Sequence, residues 1–203
     1  MIFKNKTILI TGGTGSFGKK FVEILIKDYK PKKIIIFSRD ELKQYLMKAQ
    51  LKDFNKTLRY FLGDVRDLER LKLAMRSVDI VVHAAALKHV ESGEYNPFEV
   101  IKTNVVGTQN VVDAIVDSKV ERSIFLSTDK AVSPVNLYGA SKLAAEKLFI
   151  AANNYSLKKF SVVKYGNVFN SRGSVVPTFI EQIKKKNKLF LTNKNMTRFN
   201  ISL

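Results

Sequence analysis

The chain predicts an α/β fold, a doubly wound parallel sheet with strand order 3-2-1-4-5-6. Three observations carry that prediction. Apolar, β-branched runs alternate with helical patterns six times along the sequence. The second run, Lys33 to Phe37, is apolar through its centre, as a parallel strand buried on both faces should be. A glycine-rich turn joins the first run to the first helix.

Lys6 to Ile10 is the first strand, and Thr11-Gly12-Gly13-Thr14-Gly15-Ser16-Phe17-Gly18 follows it at once. A helix is expected over Lys19 to Tyr29, with apolar residues at 21, 22, 24, 25 and 26. Glycines between a strand and a helix start make a dinucleotide-binding turn, so the sheet is Rossmann-like. Gly12, Thr14, Gly15, Ser16, Phe17 and Gly18 are therefore candidate cofactor-binding residues. The free N–H groups and dipole at the helix start would face the phosphates.

The second strand ends in Ser38-Arg39. An acidic residue here would take the ribose 2′-hydroxyl of NAD, whereas Arg39 can pair with the 2′-phosphate of NADP. NADP is the expected cofactor. Asp40 is read as the cap of a helix from Glu41 to Leu51. Leu58 to Leu62 is the third strand, leading to Asp64 and Val65, both counted with the cofactor site. Asp64 can accept from the adenine amine or serve as a turn or capping acid before the helix Leu68 to Met75. A fourth strand, Asp79 to Val82, runs into His83, read as a satisfied, half-buried strand-end histidine. Ala84, Ala85 and Ala86 are small enough for a nicotinamide ribose to pass, and Lys88 is expected to face the cleft.

Asn96-Pro97 opens a long helix to about Ser118, with Pro where its missing N–H costs nothing. Gly107 and Thr108 suggest close packing on the sheet, and Asn104 is polar on a largely apolar helix. The fifth strand, Ser123 to Leu126, leads into Ser127-Thr128-Asp129-Lys130, and a helix is expected from Tyr138 to Asn153. Tyr138 and Lys142 are four apart and share a helix face. A lysine beside a tyrosine favours the phenolate, which can take a hydroxyl proton while a hydride leaves the same carbon. Alone, that pair is also what an exposed helix surface carries. Lys159 to Val163 is the sixth strand. Beyond it lie a helix from Thr178 to Lys186, a short strand from Leu189 to Thr192, and Met196-Thr197-Arg198-Phe199.

With 45% apolar residues the chain can bury a core. The absence of Cys excludes disulfides and thiolate metal sites. His83 and His89 lack partners at metal-binding spacing, so no metal is expected. No stretch approaches the roughly 20 apolar residues of a membrane span, and the lysine-bearing start does not read as a signal peptide. A cytoplasmic location is expected. The net charge of +17 is spread over scattered lysines. It favours a phosphorylated small substrate over nucleic acid.

Together T-G-G-T-G-S-F-G, S-R-D-E-L-K-Q, G-D-V-R-D-L-E-R, H-A-A-A-L-K-H-V, K-T-N, L-S-T-D-K-A, N-L-Y-G-A-S-K, Y-G-N-V, S-R-G-S-V-V-P and M-T-R-F resemble the extended short-chain dehydrogenase/reductase superfamily. Within it they resemble the inverting UDP-N-acetylglucosamine 4,6-dehydratases, first enzymes of pseudaminic-acid synthesis for flagellin glycosylation. Related dehydratases of deoxythymidine-diphosphate glucose carry Glu where this chain has Lys130. The membrane-anchored retaining relatives tend to carry Met where it has Tyr138.

The resemblance implies bound NADP and a UDP-sugar substrate. It makes Thr128, Asp129, Lys130, Tyr138 and Lys142 the catalytic set. Tyr138 takes the carbon 4 hydroxyl proton, hydrogen-bonded there by Thr128. Lys142 lowers the Tyr138 pKa and holds the nicotinamide ribose. Lys130 removes the carbon 5 proton and Asp129 protonates the departing carbon 6 hydroxyl. Lys88, Asn167 and Arg172 are carried over as substrate-binding, the last two near the diphosphate. The expected domains are a cofactor domain, 1–165, and the start of a substrate-binding lobe, 166–203, truncated relative to the family. An epimerase or reductase of the same superfamily, or a non-catalytic NADP-binding remnant, also fits parts of the pattern, and homo-oligomerisation is left open.

Overall fold

A computed structural model describes residues 2–169, 171, 174–186, 188–189, 191 and 193–202. Six parallel strands form one sheet in the order β3-β2-β1-β4-β5-β6, as the sequence predicts. They are β1 (Thr7–Thr11), β2 (Lys33–Ser38), β3 (Leu58–Leu62), β4 (Ile80–His83), β5 (Arg122–Thr128) and β6 (Lys159–Tyr165). Alternate residues of β1 feed opposite faces of the sheet, the period of a strand. Leu9 joins Phe37, Val81, Val111, Phe125 and Phe149 in one apolar cluster. Ile8 and Ile10 join Val22, Ile34, Ile36 and Val82 in the other. A β1 buried along its whole length explains why its sequence is a continuous apolar run.

Some of the helices start on side-chain caps that can be read from the sequence. Asp40 accepts from Lys43 N at 2.9 Å and starts α2 (Glu41–Gln50), as predicted. Asp67 accepts from Arg70 N at 2.9 Å and starts α3 (Leu68–Met75). The first helix, α1, begins earlier than expected, at Ser16–Ile24, directly on the glycine turn. Its continuation, Leu25–Tyr29, widens into a π-turn ending at Lys30, which is left-handed (φ 47°). The long helix expected from Asn96 to Ser118 is three pieces, α5 (Pro97–Ile101), a π-turn at Lys102–Val106, and α6 (Gly107–Val116). A short helix that the sequence reading missed, α4 (Val90–Tyr95), precedes it. Gly107 confirms the close packing: a Cβ there would lie 2.7 Å from Val65.

Helix α7 (Leu137–Ala151) is capped by Asn136, which accepts from Gly139 N at 2.9 Å. After β6 a separate two-stranded parallel sheet pairs β7 (Asn167–Val168) with β8 (Asn200–Ile201), and α8 (Val175–Lys186) lies between them in sequence. The short strand expected at 189–192 is not seen at Leu189 or Leu191, and residues 190 and 192 lie outside the described ones. The pairing strand is instead Asn200–Ile201, because Gly166 and Asn167 lie against Phe199 and take its backbone. Val175, Ile180 and Ile183 of α8 and Phe199 are exposed apolar residues. Among the described residues no helix is long and apolar enough to cross a membrane.

Candidate active site

The carboxyl ends of the strands open into one cleft of about 1220 Å³. It runs from the glycine turn past Arg39, Asp64, Ala84 to Ala86 and Lys88 to Thr128, Lys130, Tyr138 and Asn167. That is where ligands lie on an open parallel sheet.

The glycine turn is built against the β4 loop. Gly12 is left-handed (φ 66°), and a Cβ on it would stand 2.9 Å from the backbone of Ala85. Gly15 N donates to Gly12 O at 2.9 Å, closing the turn. The facing loop is held by a closed hydrogen-bond chain. Ala84 N and Ala85 N both donate to Thr11 Oγ1 at 3.2 Å. Thr11 Oγ1 lies 2.6 Å from His83 Nδ1, and His83 Nε2 lies 3.0 Å from Thr108 Oγ1. Thr108 spends its proton on Asn104 O at 2.6 Å. The network therefore assigns the proton of His83 to Nε2 and leaves Nδ1 to accept from Thr11. Burial, with Lys142 nearby, lowers the His83 pKa to about 3. His83 is satisfied as expected, but it is fully buried rather than half-buried, because α6 and Phe125 cover it.

Asn104 fixes the other end of the loop. Its Oδ1 accepts from Leu87 N at 2.8 Å and its Nδ2 donates to Leu87 O at 2.9 Å and Ser141 Oγ at 3.0 Å. The sequence marked Asn104 as polar on an apolar helix without giving it this work. Beside it, Thr103 was missed altogether. It lines the cleft and is 5% exposed, and its hydroxyl has no hydrogen-bond partner among the described residues.

At the β2 end, Gln44 Nε2 donates to Ser38 O and Oγ at 3.0 and 3.1 Å. Arg39 has a half-exposed side chain 3.5 Å from Asp64. Within its turn-or-cap reading Asp64 is a turn acid: Arg66 N donates to its Oδ1 at 3.0 Å, and the Arg66 guanidinium to Oδ2 at 2.8 and 3.1 Å. Burial pushes the Asp64 carboxyl up, but these bonds and the charges of Arg66 and Arg39 hold it below the usual range. Val65 is buried beneath it. Lys88 lines the cleft as expected, and burial lowers its pKa.

At the β5 end a single turn, Asp129–Ala131, carries the acid and the amine. Thr128 Oγ1 donates to Asp129 Oδ1 at 3.0 Å. Lys130 Nζ donates to Asp129 Oδ1 at 3.0 Å and to Asn167 Oδ1 at 2.7 Å. Burial raises the Asp129 carboxyl, but Lys130 and Thr128 outweigh it and hold the pKa low. Gly139 brings α7 against this turn: a Cβ there would stand 2.4 Å from Lys130 O.

Two expectations need correction. Lys142 does not sit against the Tyr138 phenol. Its Nζ donates to Leu126 O at 2.6 Å and lies 3.8 Å above the Phe125 ring, because a strand-end carbonyl and an aromatic face are the nearer places for a buried cation. Burial lowers the Lys142 pKa to about 7 against the opposing charge of Glu146. The Tyr138 phenol is consequently pushed up rather than down, to about 12, by burial, Tyr165 and Asp129, with Thr128 opposing. Asn167, expected near a diphosphate, accepts from Lys130 Nζ through its amide oxygen. Arg172 lies outside the described residues. Among those residues no group of three or more His, Cys, Asp or Glu could hold a metal ion.

A doubly wound sheet with a glycine turn, a Tyr–Lys helix and an acid–amine pair at one cleft defines an extended short-chain dehydrogenase/reductase. Residues 8–203 match the profile of the polysaccharide biosynthesis protein family, and the chain belongs to that family. Over its whole length it is 59% identical to a Campylobacter jejuni protein named UDP-N-acetylglucosamine 4,6-dehydratase (inverting), covering 61% of that protein. It is 49% identical to a Rickettsia canadensis UDP-glucose 4-epimerase, again over the whole chain and 60% of the relative. Among solved structures it is similar to Pen from Bacillus thuringiensis, with 44% identity and a TM-score of 0.94 over 100% of this chain and 62% of that one. It is also similar to DesIV, a dTDP-glucose 4,6-dehydratase from Streptomyces venezuelae with NAD bound (26% identity, TM-score 0.78, 88% of this chain and 62% of that one). The chain thus spans about three fifths of the length of these relatives.

Proposed function

We propose that this chain is the cofactor-binding portion, residues 1–165, and the start of the substrate lobe, residues 166–203, of an inverting UDP-N-acetylglucosamine 4,6-dehydratase that uses NADP. The observation that carries this reading is the Asp129–Lys130 pair, 3.0 Å apart on the turn between β5 and α7. As found it is carboxylate and ammonium. One proton moved across that hydrogen bond gives an amine and a carboxylic acid, the base and acid that elimination of water needs.

The cleft fits a dinucleotide. Its glycine turn has no room for a Cβ at Gly12, and Thr103 offers an orphaned buried hydroxyl. The group would lie on Gly12, Thr14, Gly15, Ser16, Phe17 and Gly18, with Ser38 and Arg39, Asp64 and Val65, and Ala84 to Ala86 along its length, ending at Tyr138 and Lys142. Arg39, loosely paired and half-exposed, supports NADP over NAD. When bound, the dinucleotide would supply hydride-transfer chemistry between sugar carbons 4 and 6.

The chain's own residues do the rest. Thr128 hydrogen-bonds the carbon 4 oxygen and Tyr138 takes its proton, which requires the Lys142 charge to swing from the Leu126 carbonyl toward the phenol. Lys130 removes the carbon 5 proton, acidified by the adjacent ketone. Asp129 protonates the departing carbon 6 hydroxyl, so water leaves. A proton from solvent adds to the opposite face of carbon 5, which gives inversion, and Lys130 releases the proton it took to solvent. Lys88 and Arg172 are kept as substrate-side residues. The product would enter pseudaminic-acid synthesis for flagellin glycosylation, in the cytoplasm.

The test is an NMR time course of the chain with NADP⁺ and UDP-N-acetylglucosamine in deuterated water. A 4-keto-6-deoxy product, inverted and deuterated at carbon 5, supports the reading. Epimerisation at carbon 4 without carbon 5 deuterium would replace it with the epimerase reading, which the Rickettsia relatives favour.

Thr103→Val gives an independent check on the cofactor. Removing a buried, unpaired hydroxyl should raise the stability of the ligand-free chain by about 1 kcal/mol. It should weaken NADP⁺ roughly three- to tenfold by deleting one hydrogen bond. Urea denaturation and calorimetric titration read the two effects. If both move together, Thr103 is only packing.

A further inference from the structure

We infer that Asn167 is the positioning residue for Lys130, and that the strand after Met196-Thr197-Arg198 sets it in place; this rests on the dehydratase reading. Among the described residues the Lys130 amine has two partners, and they are not equivalent. Asp129 is its neighbour on the same turn and moves with it. Asn167 is 37 residues away, in a different sheet, so its 2.7 Å bond is what ties the amine to the rest of the fold. An ammonium only donates, so the amide oxygen faces it. Being uncharged, that oxygen fixes the direction of the amine without a second carboxylate competing for its proton.

The backbone around Asn167 is itself fixed by β8 and the residue before it. Asn167 N donates to Phe199 O at 2.7 Å and Phe169 N to Ile201 O at 2.8 Å. Asn167 pairs with Asn200 across the small sheet. Gly166 lies so close to the same strand that a Cβ would stand 2.3 Å from Phe199 O. The order of support is β8, then β7, then the Asn167 amide, then the Lys130 amine. A base displaced by about 1 Å can lose about a hundredfold in rate, so this chain of contacts controls proton removal at carbon 5 and leaves hydride removal at carbon 4 alone.

The experiment follows both steps in the same samples of the 203-residue chain with NADP⁺ and UDP-N-acetylglucosamine in deuterated water. NADPH absorbance reads the hydride step and carbon 5 deuterium reads the proton step. Asn167→Ala should slow deuterium uptake roughly 10- to 100-fold and leave NADPH formation within about threefold. Gly166→Ala should show the same split. Asn167→Ala combined with Lys130→Ala should be no worse than Lys130→Ala alone, the signature of two residues acting as one unit. Additive losses, or a raised KM for the UDP-sugar with an unchanged exchange rate, would overturn the inference and return Asn167 to the diphosphate. If the unaltered chain forms NADPH but exchanges no carbon 5 proton, the dehydratase reading itself fails. A second arm needs no turnover. Trace labelling with acetic anhydride, read by mass spectrometry, should change at the Lys130 amine by at least about threefold in Asn167→Ala, with distant lysines as internal references. Unchanged labelling there overturns the positioning role whatever the activity.

Discussion

Lys130→Ala should uncouple the two halves of the reaction. Carbon 5 deuterium uptake is expected to fall by about 10²–10⁴, the usual worth of a positioned general base. Hydride removal from carbon 4 should continue, so NADPH absorbance builds up instead of cycling. The geometry makes this outcome specific. Among the described residues Lys130 Nζ bonds only Asp129 and Asn167, and its partly exposed side chain supports no core. Stability should therefore stay within about 1 kcal/mol of the parent. Asp129 would lose the hydrogen bond and charge that hold its carboxyl low and would be protonated more readily, yet with no base there is no carbanion to expel the hydroxyl. Asp129→Asn is the converse: deuterium uptake persists while loss of the carbon 6 hydroxyl stops. If Lys130→Ala abolishes both NADPH formation and exchange, the lysine holds substrate and is not the base.

The parts of this fold that were legible in the sequence depend on neighbours in sequence. Asp40 and Asp67 cap helices through N–H groups three residues on, so both starts could be read locally. The strand order followed from alternation and from the apolar runs of doubly buried strands. The parts that were not legible depend on partners the fold brings from far away. His83 is sealed by threonines 72 and 25 positions distant. Helical spacing put Lys142 on the same face as Tyr138, but spacing does not say where a four-carbon side chain ends. It ends on the carbonyl of Leu126, 16 residues away, and the expected effect on Tyr138 reverses sign. The π-turns could not be read from the pattern, since each is a single widened turn, too short to establish a period of its own. Asn104 and Thr108 did leave a mark, two polar residues four apart in a largely apolar stretch, and the loop they clamp lines the cleft.

The glycine turn supplies the other large effect, and comparing two of its residues separates framework from ligand contact. At Gly18 a Cβ would stand 2.4, 2.5 and 2.6 Å from the carbonyl oxygen, Cα and carbonyl carbon of Gly13. All three are backbone, so the overlap is relieved only by pushing α1 off the turn. Gly18→Ala should cost about 1–3 kcal/mol of stability, as overpacking does. It should also weaken NADP⁺ about a hundredfold, the loss of one or two charge-assisted hydrogen bonds at about 1.5–3 kcal/mol each. At Gly15 a Cβ meets only Gly12 O, at 3.1 Å, and the backbone is extended with φ at −74°. Gly15→Ala should therefore fold nearly as well as the parent. It should still lose NADP⁺ affinity, because the added methyl stands at the helix start, where phosphate must approach the free N–H groups. Urea denaturation with calorimetric titration resolves the pair. Equal destabilisation of both variants, or full affinity in Gly15→Ala, would mean that the phosphates do not lie on this turn. The cleft would then have to take its ligand from the Tyr138 end alone.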